Sequence, residues 1–172
     1  MKIGIMGTHG AGKTTLANRL LRRYLDDDGD AVLIDESARH CPFPVNKQMT
    51  LASQQWILAE QIAVEHKFHG YTGVLVCDRT VIDPVIYAMW AEQAAPGPMP
   101  EMAAWIKAVL PFVVHWAGSY DRLYWCRCGS PPPSDDGFRD TDPAFAEQVD
   151  GLFEQVVTAT NLDVIHAPGG LI

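Results

Sequence analysis

The stretch Gly7-Thr8-His9-Gly10-Ala11-Gly12-Lys13-Thr14 sets glycines, a lysine and a threonine at the spacing G-x-x-x-x-G-K-[ST]. The residue types point to an anion cradle. Glycines let successive backbone N–H groups wrap a phosphate without interference from a Cβ. A helix that begins there adds the positive end of its dipole. Lys13 would reach the β- and γ-phosphates of a nucleoside triphosphate, and the Thr14 hydroxyl would ligate magnesium. Thr15, next in the chain, has a weaker claim as a helix residue near the phosphates. The competing reading is a glycine turn whose lysine is merely solvated. The cradle is favoured because the motif sits between an apolar strand-like run and a helix-like one.

Acids and arginines follow at comparable positions. "VCDRTVIDP" brings Asp78 and Arg79 to the end of an apolar run. An acid there commonly holds magnesium, directly or through water; the alternative is a cap on the next helix. Glu36 and its neighbour Asp35 end another run, and Glu36 is placed to accept a proton from an acceptor hydroxyl. Alternation turns only one of the two inward, and parity alone does not decide which. Arg39 could bind an anionic acceptor or be a solvated loop arginine, and Arg79 is a second acceptor-binding candidate. In the loop 129–142, Arg139 is the only cation among Asp135, Asp136, Asp140 and Asp142. A lone arginine in a closing loop would stabilise transferred phosphoryl charge; the alternative is surface ion pairing. Arg127 ranks below it. Trp56, Tyr87, Trp90, Trp105 and Trp116 read mostly as core, with one or two free to stack on a planar base.

The elements that must position these residues alternate. Strands are expected at Lys2–Met6, Ala31–Ile34, Gly73–Asp78, Asp121–Cys128 and Leu162–His166. Helices are expected at Thr14–Leu25, Gln48–His69, Thr80–Gln93, Glu101–Val109 and from Pro143 to about Ala159. Pro84 puts the first turn of the third helix near Asp83. Nearly continuous apolar strands alternating with helices imply an α/β, three-layer domain with a five-stranded parallel sheet. Ligands of such sheets bind outside the carboxyl ends of the strands, where the cradle, Glu36 and Asp78 all fall.

Composition narrows the partners. The 172 residues suit one domain spanning 1–172, and 48% hydrophobic with 20% charged residues is ordinary for a soluble protein. A net charge of -8 disfavours a general nucleic-acid binder without excluding a local basic channel. No run approaches the ~20 apolar residues that span a bilayer, and the N-terminus does not read as a signal peptide, so a cytoplasmic protein without membrane partners is expected. Cys41, Cys77, Cys126 and Cys128 fit neither a disulfide framework nor a zinc ribbon. Oligomeric state is not encoded in any of these features.

On these motifs the chain resembles the P-loop nucleoside and nucleotide kinase superfamily. In layout it is similar to the ribosylnicotinamide kinase domain of the bifunctional NAD-biosynthesis regulators and their small single-domain ATPase/kinase relatives. "GTHGAGKTTL" resembles the family's phosphate loop and "IDESARH" its strand-end acid followed by arginine. "QMTLASQQWILAEQIA" resembles its glutamine-rich helix, "VLVCDRTVIDPVIYA" its third strand with acid, and "YDRLYWCRC…DDGFRD" its fourth strand and lid. The adenylyltransferase half of those regulators has no counterpart within these 172 residues, and the lid is longer than expected for the family. The resemblance implies a P-loop NTPase fold that binds ATP and Mg²⁺ and phosphorylates a hydroxyl of a nucleoside- or nucleotide-like acceptor. Two alternatives remain open at this point: the same chemistry on a hydroxymethylated base within DNA, flipped from the stack, and a regulatory NTPase switch. No base-reading "NKxD" segment supports GTP.

Overall fold

The computed structural model describes residues 1–27, 29–129 and 140–167. Its strands are β1 (Lys2–Gly7), β2 (Ala31–Ile34), β3 (Val74–Asp78), β4 (Arg122–Cys126) and β5 (Ile165–His166). The helices are α1 (Lys13–Asp26), α2 (Leu51–Lys67), α3 (Asp83–Ala94), α4 (Pro100–Ala117) and α5 (Pro143–Thr160). Short 3₁₀ turns at Ser37–His40 and Asn46–Gln48 lie between β2 and α2.

The strands form one sheet in the order β2-β3-β1-β4-β5, with every pairing parallel. The expected five-stranded α/β architecture is therefore present. β1 sits at the centre, pairing Ile5 with Asp78 of β3 and Gly7 with Cys126 of β4. Alternation along the central strands sends side chains to two cores. Ile3, Ile5, Val76 and Cys126 pack with Ala17 and Leu20 of α1 on one face. Met6, Cys77, Leu123 and Trp125 pack under Val85, Ile86, Val113 and Phe153 on the other. β1 and β3 are neighbours whose following helices cover opposite faces, which opens a crevice at their carboxyl ends. Gly4 faces the helix-rich side, where a Cβ would stand 2.9 Å from Thr80 Cγ2 and Tyr120 Cδ1. The bare backbone thereby allows the segment after β3 to lie close against β1.

Local chemistry sets the helix ends. The Thr50 hydroxyl accepts the Ser53 N–H and the Ser53 hydroxyl accepts the Thr50 N–H, a reciprocal cap on α2. The Asp142 carboxylate accepts the Ala144 N–H, with Pro143 opening α5. α4 departs from its expected end at Val109 and runs through Pro111 to Ala117. Pro111 deprives the Lys107 carbonyl of its helical donor, but both residues are exposed, so water can serve that carbonyl. Burial of Met102, Val113 and Ala117 favours the longer helix.

Candidate active site

β1 delivers the chain into the glycine turn. Gly7 has φ 139°, and a Cβ there would collide with the Cys126 carbonyl oxygen. Gly10 and Gly12 have φ 72° and 80°, left-handed conformations that side chains disfavour. Gly12 caps α1 without any side-chain acceptor, and the first turn carries no acid. The leading N–H groups of α1 are thus left for an anion. Lys13 is 5% exposed and donates to the Thr8 carbonyl. Burial first, then the nearby Arg79 charge, pushes its pKa down to about 8. An ammonium in that condition gains from an arriving phosphate.

The middle of the turn is pinned from α3 and α5. The His9 N–H donates to the Tyr87 hydroxyl at 2.9 Å, and the His9 ring lies 4.5 Å from that of Phe145. Burial, then Arg79 and Lys13, lowers the His9 pKa to about 4, so the imidazole is neutral at physiological pH. His9 braces the turn by its ring, and its backbone N–H is already engaged.

Asp78 ends β3, is 4% exposed, and accepts a hydrogen bond from the Thr14 hydroxyl. Its pKa is raised, chiefly by burial, although that bond and Lys13 oppose the shift. A buried carboxylate beside a hydroxyl is an oxygen donor pair suited to a hard divalent cation, so both residues expected to meet magnesium stand together.

Glu36, past β2, is 5% exposed while Asp35 is exposed; Glu36 is the acid that turns inward. Arg79 Nε donates to Glu36 Oε1 at 2.6 Å. Arg79 Nη1 donates to the Gly7 carbonyl at 3.2 Å and to Asp83 Oδ1 at 3.1 Å. Burial pulls the Glu36 pKa up, but Arg79, Lys13 and Arg39 outweigh it and hold it at about 2. Arg39 Nε lies 3.2 Å from Glu36 Oε2 with its side chain 38% exposed, at the rim. Arg79 adopts φ 103°, a conformation that costs a non-glycine residue ~1–3 kcal/mol and persists only where surrounding contacts enforce it.

Two cavities meet at this pair. Gly10, Gly12, Lys13, Thr14 and Thr15 line the first together with Glu36 and Arg79. The second, about 570 Å³ including its mouth, is bounded by His9, Ser37, Gln54, Ile57, Gln61, Tyr87 and again Glu36 and Arg79. A third opening runs from Gly10 and Ala11 to Arg127, Glu147 and Asp150. Sequence reasoning missed Asp83, Gln54 and Gln61 as parts of the site. The i, i+4 spacing of Arg79 and Asp83 was the one local signal available. Arg127 is paired at 2.8 Å with Asp150 and at 3.0 Å with Glu154. Arg139 lies outside the described residues, as do positions 130–138 of the loop expected to close over the phosphates. Among the described residues, no helix is long and apolar enough to cross a membrane.

A family model described as an AAA domain matches residues 2–171, and the chain belongs to that family. A comparison with curated proteins gives no match. Among solved structures, deoxyadenosine kinase from M. mycoides with bound dATP superposes with a TM-score of 0.75 at 15% identity. That alignment covers 100% of this chain and 92% of the neighbour. The same enzyme with dCMP and a flexible dCDP gives 0.73 at 16% identity, and with dCTP 0.71 at 16%, each with the same coverage. The fold is that of the P-loop nucleoside and nucleotide kinases.

Proposed function

We propose that this member of the AAA-domain family transfers the γ-phosphate of ATP to a hydroxyl of a nucleoside- or nucleotide-like acceptor. One observation carries the reading: Glu36 and Arg79 border both the phosphate cradle and the adjoining cavity. A phosphoryl donor in one and a hydroxyl in the other would meet at that pair. A nucleotide switch needs only the first cavity. The second mixes apolar Ile57 and Val45 with polar Gln54 and Asn46, as a base with a sugar requires. The deoxynucleotides bound in the solved neighbours support the same acceptor class.

The chain's own groups divide the work. The turn from Gly7 to Thr15 holds the triphosphate, and Lys13 neutralises its terminal oxygens. Thr14 and Asp78 would hold Mg²⁺, which when bound offsets charge on the phosphates. Arg79, which borders both cavities, would contact the transferred group, and Arg39, beside Glu36, would bind an anionic acceptor. Glu36 is ionised at neutral pH but is a weak base while Arg79 grips it. Phosphoryl transfer through a loose transition state asks little of a base early on. Glu36 therefore orients the acceptor hydroxyl and takes its proton late.

ADP formation from ATP and Mg²⁺ is measured against a panel of nucleosides, nucleotides and hydroxymethylated DNA. Acceptor-dependent turnover with a free nucleoside or nucleotide is expected. Slow ATP hydrolysis that no acceptor stimulates would replace the kinase reading with a switch, and turnover on DNA alone would move the acceptor into the duplex.

A further inference from the structure

Gln61 lies mid-helix in α2 and is 1% exposed. Its amide makes contacts in three directions. Ser37 Oγ donates to Gln61 Oε1 at 3.0 Å. Gln61 Nε2 donates to Glu65 Oε1 at 2.9 Å and to the Arg79 carbonyl at 3.3 Å. Ser37 directly follows Glu36, so one side chain touches the backbone of Arg79 and the residue next to Glu36. Those two groups leave the sheet from different strands, and no local sequence rule fixes their separation.

The orientation of this amide is itself determined. Glu65 Oε1 also accepts the Tyr120 hydroxyl at 2.7 Å, while Oε2 accepts Trp116 Nε1 at 2.8 Å and pairs with Lys2. A carboxylate so placed offers only acceptors. The Gln61 NH₂ must therefore face Glu65, and its second hydrogen remains for the Arg79 carbonyl. The carbonyl end is left for Ser37.

We propose that Gln61 is a positioning residue, oriented by Glu65, that ties the segment after β2 to the segment after β3 and so holds Arg79 against Glu36. The inference rests on the kinase reading for its consequence in turnover, though not for its geometry. Arg79 carries φ 103°, and such a backbone needs contacts that enforce it. Its N–H donates to the Ile5 carbonyl at 3.1 Å, and Gln61 supplies the matching donor to its carbonyl. Without that donor the peptide after Arg79 is free to relax, and the guanidinium leaves Glu36. A purely structural role would make Gln61 only a partner for Glu65.

The test uses the full chain without nucleotide. Solvent exchange of the Arg79 Nε–H, identified by its loss in Arg79→Lys, is followed by NMR in the wild type, in Gln61→Leu and in the exchanged pair Gln61→Glu/Glu65→Gln. The exchanged pair keeps an amide–carboxylate contact between the two positions but sets an acceptor-only group against the Arg79 carbonyl. Exchange at least tenfold faster than in the wild type is expected in both variants. With MgATP and deoxyadenosine, or the acceptor the panel selects, kcat is expected to fall about tenfold with KM for ATP unchanged. Wild-type exchange in either folded variant overturns the proposal, as does faster exchange with unchanged kcat. If Gln61→Leu does not fold, the exchanged pair decides alone. A wild-type protein that phosphorylates no acceptor overturns the kinase reading, and the exchange rates then decide the positioning role by themselves.

Discussion

One lysine opens β1 and another opens α1 after the glycine turn, and the two are treated in opposite ways. At the amino edge, Lys2 donates to Ser119 Oγ at 2.7 Å, pairs with Glu65, and lies 4.3 Å from the centre of the Tyr120 ring. Glu65 in turn collects donors from Gln61, Trp116 and Tyr120. Every partner there is supplied by the chain. At the carboxyl edge, Lys13 is more deeply buried, and its described hydrogen bond goes to the Thr8 carbonyl. Its pKa is driven down to about 8, while that of Asp78 is raised. Buried charge that is fully paired holds the fold together; buried charge left short of partners waits for a ligand. The first cluster is closed, the second open.

The sharpest way to break this contrast is to remove one group from each edge. Lys13→Ala is expected to lower acceptor-dependent turnover about 10³-fold, the scale of losing a donor to transition-state charge. Its melting temperature should hold or rise, since a strained ammonium has gone. Glu65→Ala is expected to destabilise by about 3–5 kcal/mol, because the donors of Gln61, Trp116 and Tyr120 lose their shared acceptor and Lys2 its counter-charge. Urea melts and steady-state kinetics on both variants check the pair. A Lys13→Ala protein that melts as early as Glu65→Ala would make the two edges alike and remove the argument.

Glu36→Gln and Asp78→Asn come next in size. Each should lower kcat by about 10²-fold. Glu36→Gln should lower ATP affinity far less than kcat, because its proposed work is on the acceptor hydroxyl. Asp78→Asn should raise the Mg²⁺ concentration needed for half-maximal rate. Two variants with normal rates would reduce both acids to structural partners of Arg79 and Thr14.

The open edge should also show in the pH dependence of stability. His9 falls from 6.5 to about 4 on folding, so between those values the unfolded chain binds the extra proton and stability drops as pH falls. Glu36 falls from 4.5 to about 2, and its contribution, present above 4.5, is lost as pH falls toward 2. Lys13 falls from 10.5 to about 8; here too the unfolded chain holds the extra proton, and stability rises with pH across that window. At ~1.4 kcal/mol per unit, His9 sets a ceiling of about 3 kcal/mol on its limb. Unfolding curves from pH 4 to 7 on His9→Asn should be flatter than on the wild type. An identical slope would show that His9 is not held neutral.

The contrast also explains what could be read from the residues alone. The glycine turn was legible because its glycines, Lys13 and Thr14 are local in sequence and follow one fixed spacing. The ends of β1, β2 and β3 were legible because runs of four to six residues, largely apolar, lead to them, whereas β5 pairs over only Ile165–His166 of the expected Leu162–His166. Glu36 could not be separated from Asp35, since alternation fixes that one turns inward and leaves the choice to packing. The partners of Arg79 were hidden for a related reason: Gln61 and Glu36 lie 18 and 43 positions away. The closed cluster was invisible altogether. Lys2, Glu65, Trp116 and Tyr120 carry no motif, and only the packing of α2 and α4 against the start of β1 gathers them. α4 runs past its expected end at Val109 because Val113 and Ala117 beyond it are buried, while the Lys107 carbonyl freed by Pro111 faces solvent.

Arg127 gives the smallest expected effect and the finest test of where the open edge stops. It ranks below Arg139 as a candidate for meeting transferred phosphate, and it stands just past β4. In the structure its guanidinium is taken by Asp150 and Glu154, and it lies over the Trp125 ring at 4.4 Å. Asp150 keeps a second donor, the Cys128 N–H at 3.0 Å, so removing the arginine does not strand a carboxylate. The Arg127 side chain is 40% exposed, which screens the pair. Arg127→Ala should therefore cost no more than ~1 kcal/mol of stability and leave kcat within about threefold. Because the residue borders the opening beside Gly10 and Ala11, KM for ATP is the parameter expected to rise. A tenfold loss in kcat at unchanged KM would instead place Arg127 on the transferred group, and the open edge would extend from Arg79 across the cradle to the far side of β4.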